Sequence, residues 1–291
     1  MKAYAYRLLN VFAREGRLTG NPLCVFEDGT GLDEATQQAL ARQFNLSETT
    51  FILPSTRATA RVRIYTPSYE MPFAGHPTLG TAHVVRDLAK AGDSIELEMK
   101  AGIIPVSARG ARWTLQANAP RARKPSESNA ELAQILGLAE ADIGDAPLWV
   151  STGREQLLVP LRSVDAVRKA RPRGDVFTRL KSEDGNSMAY VFADSGAAVE
   201  SRFFFPSGAA ILEDPATGSA CANLGGWFAL TRPGLAVERT ISQGEAVLRP
   251  STLYLRVEYA AATQAASSAP REARILVSGD VIELGRGTVT L

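Results

Sequence analysis

The 291-residue chain is poor in several residue types, and each shortage argues against a class of protein. It holds two histidines and two cysteines, too few for a multi-histidine zinc or iron centre. Cys24 and Cys221 stand far apart and form no CxxC pattern, so free thiols are expected. The net charge is +1 with both signs scattered, which creates no field that favours nucleic acid or a membrane surface.

Targeting segments and cofactor motifs are also missing from the sequence. No apolar run approaches the roughly 18 residues of a membrane span, and the first twelve residues lack a signal peptide's apolar core. GxGxxG, GxxxxGK[ST], GxSxG and HExxH motifs are absent. We therefore expect a cytoplasmic protein with no metal and no organic cofactor, whose partners include neither nucleic acid nor a membrane.

The sequence does contain an internal repeat. Three pairs of segments match in the same order: 63–67 with 202–206, 50–53 with 189–192, and 76–82 with 214–220. The offset is 139 residues for the first two pairs and 138 for the third. The first pair reads Arg-apolar-aromatic-x-Pro, and the third reads [His/Asp]-Pro-x-x-Gly-[Thr/Ser]-Ala. Two copies are too few for a solenoid, so the pattern predicts a duplicated domain of about 140 residues.

Hydrophobic periodicity and turn residues predict the elements of each copy. Predicted helices lie after Asp33 as N-cap and over 77–89, 129–137 and 218–230. The predicted strands cover 4–12, 23–26, 49–53, 60–65, 94–99, 103–108, 112–117, 156–161, 188–193, 202–205, 253–259, 274–277 and 281–284. Residues 120–128 are interpreted as a linker, and the Ala/Ser-rich stretch 260–270 as a mobile surface loop.

In both copies a Gly- and Pro-rich loop runs into a helix that starts with small residues. The unpaired N–H groups and dipole of such a helix N-terminus suit a carboxylate or a phosphate. If the halves pack about a pseudo-twofold axis, His76 and Asp214 stand on opposite walls of one cleft. Plainer readings remain: Asp214 as a helix cap, His76 as a loop histidine. A Ser-His-Asp hydrolase built from Ser219, His76 and Asp214 is conceivable, although nothing indicates an oxyanion hole.

Several segments resemble the phenazine-biosynthesis PhzF-like family over essentially the whole chain. These are Gly20-Asn21-Pro22, the string NLSETTF at 45–51, Tyr65-Thr66-Pro67, FAGHPTLG at 73–80, EDPATGSA at 213–220, Gln243-Gly244 and Arg249-Pro250-Ser251. The resemblance implies an α+β protein with two pseudo-symmetric domains of diaminopimelate-epimerase-like fold, each a rolled mixed sheet around a central helix. The implied domains are 1–118, joined by a last strand at about 281–291, and 119–280. A homodimer is expected.

The resemblance also implies an activity: a cofactor-independent isomerase or epimerase that moves a proton on a small amino- or hydroxy-carboxylate. The family's acid/base glutamate falls on Glu48, and its supporting residues fall on His76, Asp214 and Ser219. Burial can raise the pKa of a carboxyl group toward neutrality, which suits such a base. Backbone N–H groups at Gly75, Gly218 and Ala220 are expected to bind the substrate carboxylate and developing enolate-like charge.

Two further readings follow from the resemblance. Epimerases and racemases of the wider fold use one cysteine at each helix N-terminus, whereas here Cys24 lies in a predicted strand and Cys221 deeper in a helix. The sequence therefore does not support a two-thiol mechanism. A non-catalytic protein that binds a small molecule or a partner and retains the fold is the alternative, and the joint presence of Glu48, His76, Asp214 and Ser219 favours the enzyme.

Overall fold

The structure is a computed structural model that describes residues 1–259 and 272–291. The predicted Ala/Ser-rich loop at 260–270 lies outside the described residues. The strands are β1 (Ala3–Val11), β2 (Asn21–Phe26), β3 (Glu48–Leu53), β4 (Ala60–Tyr65), β5 (Glu70–Met71), β6 (Ser94–Met99), β7 (Gly102–Arg109), β8 (Arg112–Gln116), β9 (Arg121–Arg123), β10 (Leu148–Ser151), β11 (Glu155–Pro160), β12 (Ala189–Asp194), β13 (Ala198–Ser207), β14 (Ala210–Asp214), β15 (Val237–Gln243), β16 (Ser251–Tyr259) and β17 (Ala273–Thr290).

The helices are α1 (Glu34–Phe44), α2 (Gly75–Ala89), α3 (Asn129–Leu136), α4 (Val164–Lys169), α5 (Gly174–Phe177) and α6 (Gly218–Thr231), with 3₁₀ turns at Glu140–Asp142 and Glu245–Val247. The chain divides into two compact units. Unit 1 contains Met1–Leu115 and Ser278–Leu291, and unit 2 contains Gln116–Val277. The long strand β17 thus begins in unit 2 and ends in unit 1. The predicted domain boundaries at 118/119 and 280/281 stay predictions.

Unit 1 is a mixed sheet that closes on itself. β1 pairs antiparallel with β2, β2 parallel with β3, β3 antiparallel with β4, and β4 parallel with β6. β6, β7 and β8 follow as an antiparallel meander, β8 pairs with β17, and β17 returns antiparallel to β1. Closure leaves no open edge among these eight strands and creates an interior that one helix can fill.

The helix α2 fills this interior. It contacts β1, β2, β3, β4, β6 and β7, and most of its side chains from His76 to Val85 are buried. Gly80 shows how closely it approaches the strands: a Cβ there would lie 2.5 Å from the side chain of Leu23 and 2.9 Å from that of Val11. A helix buried on all sides requires such small residues, because a rolled sheet leaves little space at its axis.

The outer face of the same sheet carries a second core. Phe26 and Phe51 stack there with ring centroids 4.7 Å apart, and Leu40 and Ala41 of α1 pack on them. The α1 N-cap is Asp33, as predicted, and its carboxylate accepts from the backbone N–H of Thr36. Alternation along β2 thus directs Cys24 and Phe26 outward to α1 while Leu23 faces α2.

Unit 2 repeats this order of strands. β10 pairs antiparallel with β11, β11 parallel with β12, β12 antiparallel with β13, β13 parallel with β15, and β15 antiparallel with β16. The short strands β5 and β14 occupy equal places beside β4 and β13. α6 is buried along most of its length and contacts β9, β10, β11, β15 and β16, while α3, α4 and α5 cover the outer face. The predicted α+β architecture, a rolled mixed sheet around a central helix occurring twice, is confirmed.

Some predicted elements differ in detail. The helix expected from 77 begins at Gly75, and the strands expected at 274–277 and 281–284 are one continuous strand, β17. The predicted linker at 120–128 contains β9, which pairs antiparallel with β10 inside unit 2. Nothing in the sequence analysis predicted β5, β10, β14, β15, α4 or α5.

Candidate functional site

Glu48 is the first residue of β3, four residues after the end of α1 at Phe44. The helix ends at Asn45, whose left-handed backbone (φ 51°) turns the chain back toward the sheet. Glu48 then pairs with Leu23 of the parallel strand β2, and its side chain is 15% exposed. A carboxylate that begins a strand beside the buried start of β2 is held largely out of solvent while its backbone is fixed by the sheet.

His76, the second residue of α2, lies beside Glu48. The His76 side chain is buried, and its Nε2 is 3.4 Å from the Oε2 of Glu48. The ring also hydrogen-bonds the backbone of Pro22, which has only a carbonyl to offer, so the ring donates. Nε2 has no hydrogen-bond partner among the described residues, and the donor is therefore Nδ1. This tautomer directs the Nε2 lone pair to the side on which Glu48 lies.

The imidazole is neutral at physiological pH. Burial lowers the pKa of His76 from its ordinary 6.5 to about 3, although the bond to Pro22 acts in the opposite direction. A neutral ring whose Nδ1 hydrogen is committed to Pro22 can only accept at Nε2. His76 is therefore a proton acceptor in a hydrogen bond from Glu48 whenever the carboxyl group carries a proton.

In unit 2, Asp214 is the last residue of β14 and is held by two buried side chains. The Thr217 hydroxyl donates to Asp214 Oδ2 at 2.6 Å, and Gln243 Nε2 donates to the Asp214 carbonyl at 2.8 Å. Gln243 Nε2 also donates to the Thr217 hydroxyl oxygen, and Gln243 Oε1 accepts the Thr217 N–H. Because Thr217 Oγ1 accepts from the amide, its own hydrogen is left for Asp214, and the carboxylate is fixed as an acceptor.

Ser219 is the second residue of α6 and belongs to a different buried network. Gln156 Nε2 donates to Ser219 Oγ at 2.9 Å, and Asn223 Nδ2 donates to Gln156 Oε1 at 2.8 Å. Gln156 and Asn223 are almost completely buried, whereas Ser219 is partly exposed. Within unit 2, Ser219 and Asp214 thus each have other partners, an arrangement that does not favour the Ser-His-Asp hydrolase considered above.

The backbone donors expected at Gly75, Gly218 and Ala220 lie in the first turns of α2 and α6. The first helical bonds run from Thr78 N to the Ala74 carbonyl and from Cys221 N to the Thr217 carbonyl. The N–H groups ahead of these two belong to the first turn and have no carbonyl one turn earlier to bond. Pro77 has no N–H, so α2 presents two such donors and α6 presents three.

The structure corrects the register of the third repeat match. Ile64 pairs with Met71, and its repeat counterpart Phe203 pairs with Asp214, so Asp214 corresponds to Met71. Ten residues separate Phe203 from Asp214, whereas six separate Ile64 from Met71, so the second hairpin is four residues longer and the offset shifts from 139 to 143. The helix starts agree with the new offset, since α2 begins at Gly75 and α6 at Gly218. His76 therefore corresponds to Ser219.

Sequence reasoning missed the residues that hold the expected ones in place. Gln156 and Asn223 carry no signal of their own, because a buried amide in an apolar stretch reads as an ordinary strand or helix residue. Thr217 lies in the string EDPATGSA at 213–220, which contributed to the family resemblance. Gln243 stood in a segment that contributed to the family resemblance, and that segment was the one available pointer to it. The prediction that the residues of the two units serve one cleft stays a prediction.

Cys24 and Cys221 are free and fully buried, and burial raises the pKa of both thiols far above neutrality. Neither can act as a thiolate base under physiological conditions. Among residues 1–259 and 272–291, no group of three or more His, Cys, Asp or Glu side chains could hold a metal ion. No helix in the same part of the chain has the length and apolar character that crossing a membrane requires. The homodimer and the cytoplasmic location stay predictions.

Comparison with known proteins adds independent information. A family model described as phenazine biosynthesis-like protein, PhzC-PhzF, matches residues 9–285. An uncharacterised isomerase of Pasteurella multocida is 36% identical over 98% of this chain and 93% of its own. A trans-2,3-dihydro-3-hydroxyanthranilate isomerase of Pseudomonas fluorescens is 32% identical over 98% of this chain and 99% of its own.

Solved structures show the same fold. A PhzF-family phenazine biosynthesis protein of Bacillus anthracis has a TM-score of 0.85 at 26% identity and covers 100% of both chains. A predicted epimerase of Pseudomonas aeruginosa has a TM-score of 0.77 at 27% identity, covering 99% of each chain. A hydroxyproline epimerase of Agrobacterium vitis has a TM-score of 0.60 at 11% identity, over 99% of this chain and 93% of its own. The last likeness concerns the fold alone.

Proposed function

This chain belongs to the phenazine biosynthesis-like PhzC-PhzF family, and on that basis we propose that it moves a proton on a small amino- or hydroxy-carboxylate without a cofactor, using Glu48 as the acid and base. The chain is an isomerase, as its curated relatives are. The proposal adds the residue that carries the proton and the class of substrate.

The observation that carries the proposal is the pair of Glu48 Oε2 and His76 Nε2 at 3.4 Å. A single group that both removes and returns a proton must be stable with the proton and without it. Ionised, Glu48 can take a proton from a substrate carbon. Protonated, it can donate that hydrogen to the lone pair of neutral His76.

The proposed step conserves atoms and electrons. Glu48 removes a proton from one carbon of the substrate, and the electron pair of that C–H bond moves into the adjacent conjugated system. The carboxyl group then returns the proton to a different carbon, the double bond shifts, and Glu48 is ionised again. Neither an oxidant nor a reductant takes part, in agreement with an isomerisation.

Substrate positioning is assigned to the remaining predicted residues. Backbone N–H groups at Gly75, Gly218 and Ala220 bind a carboxylate and the negative charge that develops as the proton leaves. Asp214, fixed as an acceptor by Thr217, pairs with a substrate ammonium group. The Ser219 hydroxyl bonds a substituent of the substrate, and His76 supports Glu48.

The test uses trans-2,3-dihydro-3-hydroxyanthranilate, the compound named in the curated isomerases of Pseudomonas, and a panel of cyclic and acyclic amino and hydroxy acids. Each compound is incubated with the protein in D₂O and followed by proton NMR. Deuterium entering at carbon, together with a shifted double bond or an inverted centre, is the expected result. A folded protein that exchanges no carbon-bound hydrogen in any of these compounds would contradict the proposal.

A further inference from the structure

We propose that Gln156 and Asn223 are positioning residues that turn the Ser219 hydroxyl into a hydrogen-bond donor aimed at the substrate. The inference rests on the proposed function, because it assigns a direction to the bond that Ser219 makes with a bound carboxylate or hydroxyl. It follows from the order of donors and acceptors along one buried series of hydrogen bonds in unit 2.

The chain of bonds starts at a group that cannot be reversed. The backbone N–H of Thr152 donates to Asn223 Oδ1 at 2.8 Å, and the Thr152 hydroxyl donates to the same oxygen at 2.8 Å. A backbone N–H is a donor only, so the atom opposite it must be the amide oxygen of Asn223. The amide of Asn223 is thereby fixed in one of its two orientations.

The fixed amide then orients its neighbour. Asn223 Nδ2 donates to the Arg154 carbonyl at 2.9 Å and to Gln156 Oε1 at 2.8 Å. The carbonyl of Arg154 is an acceptor only, which fixes this end of Asn223 a second time. Gln156 must therefore present its oxygen to Asn223 and its nitrogen to Ser219, 2.9 Å away.

Ser219 Oγ is consequently an acceptor from Gln156, and the single hydroxyl hydrogen must point elsewhere. The exposure of the three side chains shows where it can go. Gln156 and Asn223 are 1% and 0% exposed, whereas Ser219 is partly exposed in the first turn of α6. The free hydrogen is therefore available to a ligand that approaches this helix end.

Reversing the direction of these hydrogen bonds is unfavourable. Flipping either amide places N–H against N–H and leaves buried donors without acceptors, which is expensive inside a protein. The packing thus permits one direction of hydrogen bonding, which runs from the backbone N–H of Thr152 to the Ser219 hydroxyl and from there to the substrate. A serine without this chain could donate or accept with equal ease and would not distinguish a carboxylate from an ammonium group.

The decisive variant is Gln156→Glu, because it keeps the shape of the side chain and reverses the direction of its hydrogen bond with Ser219. The oxygen facing Asn223 still accepts, but an ionised carboxylate facing Ser219 also accepts, so the serine hydrogen turns to it. Binding is measured by calorimetry with 3-hydroxyanthranilate, an aromatic counterpart that has no transferable ring proton. At pH 8 we expect binding about 10- to 100-fold weaker than in the wild-type protein. At pH 5 and below, protonation lets the introduced carboxyl group donate to Ser219, and the ratio to wild type moves back toward one.

Three variants serve as controls for this result. Ser219→Ala should weaken binding by a similar factor at every pH, and Gln156→Glu should add nothing in the Ser219→Ala background. Gln37 is a buried glutamine of unit 1 that donates to the Leu32 carbonyl, so Gln37→Glu controls for the burial of a carboxylate and should leave binding unchanged. A loss in Gln156→Glu that persists without the serine, or wild-type affinity at pH 8, would overturn the proposal.

Two further measurements test the inference if Gln156→Glu does not fold or if the ligand does not bind. Should Gln156→Glu not fold, Gln156→Met removes the orienting donor without adding a charge, and a several-fold loss of affinity is expected only when Ser219 is present. Should the wild-type protein not bind 3-hydroxyanthranilate, a substrate of the dihydro-hydroxyanthranilate type is excluded, whereas the inference about Ser219 is not. Neutron diffraction on the unliganded protein then still decides the direction: a Ser219 deuterium pointing at Gln156 refutes it, and one pointing away supports it.

Discussion

The central helices of the two units occupy equal places in the same order of strands, but they begin with different chemistry. α2 begins Gly-His-Pro, and its histidine is neutral, buried and adjacent to the carboxylate of Glu48. α6 begins Gly-Ser-Ala, and its serine accepts from a buried amide and has no carboxylate within its own network. The duplicated fold thus places two polar groups at equivalent helix positions, and sequence divergence has made one a proton acceptor and the other a donor.

Equivalent position and similar sequence are separate properties in this repeat. His76-Pro77 resembles Asp214-Pro215, yet the strand pairing makes Met71 the counterpart of Asp214. The ion pairs of Arg63 with Glu70 and Arg202 with Glu213 follow the corrected register. On the proposed function, unit 1 carries the proton and unit 2 directs the substrate.

The largest expected effect concerns this division of roles. Glu48→Gln keeps the shape of the side chain and removes its basic oxygen, so carbon–deuterium exchange should fall by about 10²- to 10⁴-fold while 3-hydroxyanthranilate still binds. Asp214→Asn should instead affect substrate binding: KM should rise or binding weaken, with a smaller change in kcat. Exchange rates and calorimetry on both variants separate the two effects. Near-native exchange in Glu48→Gln would remove Glu48 from its role and leave His76 as the next candidate base.

A second effect, on stability, compares the equivalent arginines. Arg202 donates to Glu213 through two nitrogens and to the Ala170 carbonyl at 2.7 Å. The variant Arg202→Met therefore leaves a buried carboxylate and a buried carbonyl without their hydrogen-bond donor. We expect a loss of about 3–5 kcal/mol in the free energy of unfolding. Arg63→Met should lose less, because Lys100 still pairs with Glu70. Urea unfolding measures both, and the double variant Arg202→Met/Glu213→Leu should regain most of the loss. Equal losses at the two arginines would contradict the comparison.

A third effect is the pH dependence of stability that His76 of unit 1 contributes. Because burial lowers the pKa of His76 to about 3, the unfolded chain binds a proton between about pH 6.5 and pH 3 that the folded chain does not. Stability should therefore fall as the pH falls through this window, by up to about 1.4 kcal/mol per pH unit from this residue. His76→Gln should flatten the decline, as measured by urea unfolding at several pH values. Its counterpart variant Ser219→Ala should leave the slope unchanged, and an unchanged slope in His76→Gln would show that the histidine is protonated in the fold.

The smallest effect concerns the first outer helix of each unit. Asp33 caps α1 through one bond to Thr36, whereas Ser128 caps α3 in a reciprocal capping box with Glu131. Asp33→Ala and Ser128→Ala should each cost about 1 kcal/mol, with the larger loss at Ser128. Thermal unfolding of the two variants tests this order, and Asp33→Asn, which keeps an accepting oxygen, serves as the control. A larger loss at Asp33 would mean that the reciprocal bond contributes nothing.

The repeated architecture was predicted from the internal repeat and from the resemblance to a family, whereas hydrophobic periodicity predicted the two central helices at 77–89 and 218–230, because that pattern arises from burial itself. It failed where a distant contact overrides a local signal. Residues 278–280 form a break between two predicted strands, but Gly279 lies inside β17, where a Cβ would meet the Phe12 ring at 2.1 Å. The glycine is needed for a close approach by a residue from the other end of the chain, which no local pattern reveals.

The site divides in the same way. Glu48 and His76 were predicted from strings long enough to resemble a family, and the structure brings them together within unit 1. The amides that orient Ser219 could not be predicted, since Gln156 and Asn223 are 67 residues apart and each looks ordinary in its own segment. Their role exists only in the order of donors and acceptors, which is a property of the folded packing.

The strand β17 has a consequence for synthesis on the ribosome. Ala3 of β1 pairs with Thr290, so the first strand of unit 1 acquires this neighbour only after all of unit 2 has been translated. Until then the nascent sheet of unit 1 keeps two unpaired edges, at β1 and β8, of the kind that invites association with other chains. Translation speed through residues 116–277 therefore sets how long these two edges stay unpaired.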